Sequence, residues 1–188
     1  MLAGGRSARF GSDKLAAGYR GIPLLHHAVL RLAEVCAEVV IVIAPAAPDP
    51  AVPIGVNARF VRDPREGEGP VVGLLAGLEG VETPLAIVAG GDMPDLSTAV
   101  LVEMLRVVRE AAVDAVALQD GDRFRPLPSL MRVEPARQAA RSLLHAGERS
   151  LRAVLQALRT AVIDEQTWVG LDPGRRTLFD VDEPGDLD

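Results

Sequence analysis

Residues 85–111 read LAIVAGGDMPDLSTAVLVEMLRVVREA and contain one complete unit of the fold. Leu85–Val88 is an apolar run of strand length, of the kind buried on both faces in a parallel sheet. A glycine pair, an aspartate and a proline follow. A stretch of helical period then covers residues 97–111, with Ser97 at the position of an N-cap. The same alternation recurs on either side. Val39–Ile43 (VVIVI), residues 58–61 and residues 113–118 (VDAVAL) are predicted strands. Residues 23–35 open on a proline and carry Leu24, Leu25, Ala28, Val29 and Leu32 on one side, and residues 70–78 form another predicted helix. Such repetition implies an α/β fold with a single doubly wound, mostly parallel sheet and helices on both faces. Ligands of such sheets sit beyond the carboxyl ends of the strands.

The rhythm changes after Leu118. Residues 119–123 (QDGDR) signal a turn, and residues 125–131 are broken by prolines. Two short helices at 135–145 and 150–158 precede a strand at 161–163. This half reads as an elaboration of the same sheet, so residues 1–188 are expected to form one domain. Leu2 and Ala3 would end a first strand with almost nothing before it, whereas a strand usually runs about five residues. The expectation is that a few N-terminal residues are missing from the chain as given.

Composition narrows the function classes. The chain has 188 residues, 48 % of them hydrophobic, enough for a sizeable core. No run approaches the ~18 apolar residues of a membrane span, and the early Gly4-Gly5-Arg6 leaves no room for a secretory signal. The single Cys36 excludes a disulfide framework and a clustered-cysteine metal site, and fits a cytoplasmic location. A net charge of −6, spread along the chain, argues against a nucleic-acid partner. Of the 20 basic residues 19 are arginine, and the one lysine, Lys14, lies in the most motif-like segment of the chain.

That segment is Leu2-Ala3-Gly4-Gly5-Arg6-Ser7-Ala8-Arg9-Phe10-Gly11-Ser12-Asp13-Lys14. Glycines let backbone N–H groups approach a phosphate, arginines offer forked donors, and a lysine supplies a mobile point charge. The spacing matches neither a Walker loop nor the dinucleotide fingerprint. A second motif, Gly90-Gly91-Asp92-Met93-Pro94-Asp95-Leu96, places a carboxylate at the end of a buried strand, suited to Mg²⁺ on a nucleotide. A third, Asp63 to Gly73, reads equally as a base- or ribose-contacting loop and as a plain strand-to-helix connection. A fourth, Phe179-Asp180-Val181-Asp182, puts two carboxylates on one side if extended; it reads as a further metal ligand or as a solvated acidic tail. His26, His27 and His145 lack a second ligand at metal spacing. Cys36 reads as a buried inert thiol, and Trp168 as packing.

LAGGRSARFGSDK followed by GGDMPDL resembles the molybdenum cofactor guanylyltransferases, within the larger nucleotidyltransferase group. GPVVGLLAGL, RPLPSL, GERSLRAVL and FDVDEPGDL support the resemblance by order and spacing. It implies a doubly wound Rossmann-like fold and the transfer of GMP from GTP to the terminal phosphate of molybdopterin, with Mg²⁺ and release of pyrophosphate. By position, Leu2, Ala3, Gly4 and Gly5 match the nucleotide-binding backbone. Lys14 matches the phosphate lysine, Arg9 the motif arginine, and Asp63 the aspartate before the Gly-Pro helix. Asp92 matches the ligand of nucleotide and metal, with Asp182 a further metal candidate. Lys14, Arg9 and Asp92 are thus the expected catalytic set. A molybdenum insertion protein or molybdoenzyme chaperone is implied as a hand-off partner. Two departures stand out: Ala44 follows the second strand where the family has asparagine, and Asp180 and Asp182 replace two asparagines. CTP-using sister enzymes tend to carry alanine where Gly4 stands. The rival readings are a related transferase using CTP or a sugar or alcohol phosphate, and a non-catalytic nucleotide-binding module.

Overall fold

The computed structural model describes residues 1–4, 14–64 and 67–187. In chain order its elements are β1 (Gly18–Tyr19), β2 (Ile22–Pro23), α1 (Leu24–Ala33), β3 (Val39–Ile43), β4 (Ala58–Arg62), α2 (Pro70–Gly80) and β5 (Leu85–Val88). There follow α3 (Thr98–Glu110), β6 (Ala115–Asp120), β7 (Arg123–Arg132), α4 (Val133–His145), α5 (Leu151–Ala157), β8 (Thr160–Ile163) and α6 (Glu165–Leu171). β1 and β2 form a small hairpin, turned by Arg20 and Gly21 at positive φ.

The main strands lie in the order β4-β3, then Leu2, then β5-β7-β6-β8. Leu2 joins the two halves: it bridges in parallel to Val42 on one side and to Gly90 on the other. The β3–β4 and β6–β8 pairs are parallel, and β7 alone runs against its neighbours β5 and β6. The sheet is therefore mostly parallel, as the alternation of strands and helices implies.

Helices cover both faces. One face carries α1, α3 and α6: Leu25, Val29 and Leu32 meet Val39, Ile41 and Ile43, together with Val100, Leu101, Met104, Val108 and Trp168. On the other, Val71, Leu74 and Leu78 of α2 join Ala136, Ala140, Leu151, Val154 and Leu155 of α4 and α5 over Ala115, Ala117 and Met131. Each large apolar side chain removed from water in this way contributes about 1.5–3 kcal/mol before entropy is counted. Gly77 of α2 is required by that closeness, because a Cβ there would lie 2.8 Å from Val42 Cγ2. Among the described residues no helix is long and apolar enough to cross a membrane.

The structure departs from the sequence reading mainly at β7. The proline-broken stretch 125–131 is part of a ten-residue strand at the heart of the sheet. Its prolines are accommodated because the ladder to β6 slips between Val116 and Leu118, leaving Pro126 and Pro128 beside an irregular register. Ser97 does precede α3, but its side chain makes no capping bond; its backbone N–H donates to Thr177 Oγ1 instead.

Candidate functional site

The carboxyl ends of β3, β4 and β5 and the residues after Leu2 meet along one edge of the sheet. Leu2 N–H donates to Ala89 O, Ala3 N–H to Val42 O, and Gly91 N–H to Leu2 O, at 2.8–2.9 Å. These bonds fasten the start of the glycine-rich segment between the two central strands. Gly4 then lies over the end of β3: a Cβ on it would stand 3.4 Å from Ala44 N. Ala44, the position that departs from the family pattern, thus borders the glycine-rich segment directly.

Lys14 returns to this edge at the head of a short 3-10 turn, Lys14–Ala16. Its Nζ lies 2.9 Å from Asp92 Oδ2 and 3.7 Å from Asp182 Oδ1, and its side chain is 12 % exposed. Asp92 does not cap α3, which begins only at Thr98; its carboxylate turns back over the glycine pair toward Lys14. A Cβ at Gly90 would sit 2.4 Å from Asp92 Oδ1. Glycine there is a steric condition for the observed carboxylate position.

The C-terminal segment reaches the same point. Val181 is fully buried against Tyr19 and Leu24, and its N–H donates to Asp92 O at 3.0 Å. This anchoring presents Asp180 and Asp182 on either side of it. Asp180 pairs with Arg125 of β7 at 3.5 Å. Burial pushes the Asp180 carboxyl above its ordinary range, the Asp182 charge pushes it further and Asp92 adds to this, and together they outweigh Arg125.

Asp63 follows β4 and its carboxylate rests against the first turns of α2, with Oδ2 3.3 Å from where a Cβ on Gly73 would be. Gly69, the residue preceding α2, has φ +91°, a conformation that a side chain would strain. The glycines of the third motif thus set the entry to α2.

Of the residues singled out from the sequence, Leu2, Ala3, Gly4, Lys14, Asp63, Asp92 and Asp182 all lie along this edge. Gly5 and Arg9 fall outside the described residues. The three histidines take no part: His26 and His27 bond to the carbonyls of Ala51 and Tyr19, and His145 lies near the end of α4. Cys36 is half-buried, and burial raises its thiol pKa, as expected of an inert side chain. Trp168 is buried in the core and donates to Gln119 O.

Sequence reasoning did not find the bracing around Asp95. This carboxylate accepts from Tyr19 Oη at 3.1 Å, from Arg20 Nη1 at 2.9 Å and from Arg176 Nε at 2.9 Å. Burial would raise its pKa, but the Arg176 hydrogen bonds and charge, with Arg20 and Tyr19, hold it below the usual range. Nothing near Arg20 or Arg176 in the sequence signals this shared partner.

The family description "MobA-like NTP transferase domain" matches residues 1–162. The chain belongs to this family. A probable molybdenum cofactor guanylyltransferase of Chloroflexus aggregans is 34 % identical over 192 aligned positions, covering 100 % of this chain and 89 % of that protein. Another, from Natronomonas pharaonis, is 30 % identical, covering 100 % and 93 %. Among solved structures, molybdopterin-guanine dinucleotide biosynthesis protein A from Archaeoglobus fulgidus superposes with a TM-score of 0.77 at 21 % identity, over 99 % of this chain and 92 % of that one. The 2-C-methyl-D-erythritol 4-phosphate cytidylyltransferase of Thermus thermophilus has the same fold, with a TM-score of 0.72 at 18 % identity, over 99 % and 93 %. The protein is thus a nucleotidyltransferase of Rossmann-like fold.

Nucleotidyltransferases generally work with a divalent cation. The donor set suits one. Asp92 and Asp182 both lie beside Lys14 and both act electrostatically on the Asp180 carboxyl, and hard carboxylate oxygens are what such a cation prefers. Among the described residues no three acidic, histidine or cysteine side chains form a complete cage.

Proposed function

We propose that the protein transfers GMP from GTP to the terminal phosphate of molybdopterin, forming the guanine dinucleotide cofactor and releasing pyrophosphate. The observation that carries this reading is the Lys14–Asp92 pair, 78 residues apart in sequence and 2.9 Å apart at the carboxyl edge of the sheet. The two curated relatives named above support the guanylyl and molybdenum-cofactor assignments through their own names. One domain spanning the chain carries the reaction.

The chemistry is an in-line displacement. An oxygen of the molybdopterin phosphate bonds to the α-phosphorus of GTP, and the bond from that phosphorus to the pyrophosphate oxygen breaks. Positioning and charge neutralisation are the protein's contribution, with no covalent enzyme intermediate. Leu2 to Gly5 and Asp63 are the proposed nucleotide-binding residues. Arg9 and Lys14 hold phosphate oxygens, and Lys14 stabilises the charge that develops on them. Asp92, with Asp182, would hold Mg²⁺, which would supply positive charge to the phosphates. A molybdenum insertion protein or molybdoenzyme chaperone is the proposed recipient of the product.

Melting the protein with GTP, CTP, ATP and UTP, each with and without Mg²⁺, tests the nucleotide. A nucleotide at ~100 times its Kd adds ~2.7 kcal/mol of stability, or several degrees in Tm. Selective stabilisation by GTP with Mg²⁺ is expected, followed by transfer of labelled GMP to molybdopterin. Preference for CTP would move the protein to cytidylyl transfer. Stabilisation without transfer to molybdopterin would point to another acceptor.

A further inference from the structure

Asp95 lies three residues after Asp92, and its carboxylate is shielded to 12 % exposure. Its donors arrive from two other segments. Tyr19 and Arg20 follow Lys14 by five and six residues, while Arg176 precedes Asp180 and Asp182 by four and six. Arg176 gives Asp95 both Nε and Nη2, and its Nη2 also donates to Tyr19 Oη at 3.0 Å. One carboxylate therefore ties together three stretches of chain, each of which delivers a charged group to the cluster around Lys14. From the geometry we infer that Asp95 is a positioning residue, setting the spacing of Lys14, Asp92 and Asp182 while standing outside the cluster itself. The inference rests on the reading of Lys14 and Asp92 as the reacting machinery.

Two further features support it. Tyr19 is 2 % exposed, so its O–H would lose its acceptor in a buried setting if Asp95 were removed. The C-terminal segment also has independent ties to the site loop, through Val181 N–H to Asp92 O and Ser97 N–H to Thr177 Oγ1. Loss of Asp95 should therefore shift the three segments against one another without releasing them. Small displacements of this kind lower turnover more than they lower stability.

Lys14 is the chain's single lysine, so labelling with [ε-¹³C]lysine yields one side-chain signal from the cluster itself. Asp95→Asn is compared with Asp114→Asn. The Asp114 carboxylate is similarly shielded, at 14 % exposure, and accepts from Arg159 at the amino-terminal ends of β6 and β8. Asp95→Asn is expected to move the Lys14 resonance and to lower kcat by about 10- to 100-fold at a temperature well below Tm. Asp114→Asn should lower Tm and change neither. Should Asp95→Asn fail to fold, Arg176→Gln removes the same tie from the other side and carries the same expectation. A lower Tm with an unmoved Lys14 signal and wild-type kcat would make Asp95 a stability brace and overturn the inference. Absence of GMP transfer by the unmutated protein would overturn the proposed reaction, while the Lys14 signal would still decide whether Asp95 sets the cluster.

Discussion

Gly90→Ala perturbs the site with a single methyl group. The added Cβ would lie 2.4 Å from Asp92 Oδ1, whereas ordinary contact begins at 3.4 Å, so the carboxylate must retreat by roughly 1 Å. The clashing atom is the end of a side chain that is one-third exposed and can swing away, while Met93 in the core, whose Cγ would lie 3.3 Å from the new Cβ, has to give only by about a tenth of an ångström. The expected stability change is therefore within ~1 kcal/mol, or about 2–4 °C in Tm. The same displacement takes a metal- and phosphate-facing carboxylate out of alignment. Misplacement of that size costs roughly 100-fold in rate, or about 2.7 kcal/mol of transition-state stabilisation. The assay is GMP transfer from GTP to molybdopterin at saturating substrates, with Mg²⁺ titrated over the widest tolerated range. A large fall in kcat and a raised Mg²⁺ requirement are expected, with an almost unchanged melting curve. Wild-type kcat and Mg²⁺ dependence in a folded Gly90→Ala protein would refute the argument that Asp92 acts from its observed position.

Lys14→Ala should lower turnover by about 100- to 1000-fold while leaving the circular dichroism spectrum unchanged. Gly77→Ala should do the opposite: its Cβ meets Val42 Cγ2 at 2.8 Å in the α2–sheet contact, so a loss of about 1–3 kcal/mol is expected in denaturant titration, with kcat retained. Asp180→Asn should raise Tm at neutral pH. The Asp180 pKa is higher in the folded protein than in the unfolded chain, so its ionisation on folding is unfavourable above the folded pKa. The gain from the amide should shrink as pH falls through the folded pKa toward 3.8, a trend readable from Tm against pH. Gly4→Ala has room, its nearest backbone neighbour being 3.4 Å away, so the protein should fold normally. A shift from GTP toward CTP, measured as the ratio of the two kcat/KM values, is the expected consequence.

Much of the site was legible from local sequence. A glycine-rich run after one strand and Gly-Gly-Asp after another are short signals, because a phosphate-handling loop needs small residues and charge within a few positions. β5 and α3 were readable in the same way, from an apolar run and a helical period. β7 was not. Its prolines argue against a central strand, and only the slipped register with β6 gives them a place. Asp95 was hidden for a related reason: its partners Tyr19 and Arg176 lie 76 and 81 residues away.

By itself, the sequence determined the alternation of strands and helices, and it singled out Lys14 and Asp92 as the candidate residues that the structure brings together at the carboxyl edge. These follow from periodicity and from residue chemistry within single loops, which neighbours along the chain impose directly. The tertiary structure alone decided that Lys14 stands between Asp92 and Asp182, that Val181 anchors the C-terminal carboxylates beside them, and that Asp95 joins the three contributing segments. Each of these depends on which distant stretches the two-faced packing of the sheet brings within a few ångströms, and no local pattern encodes that distance.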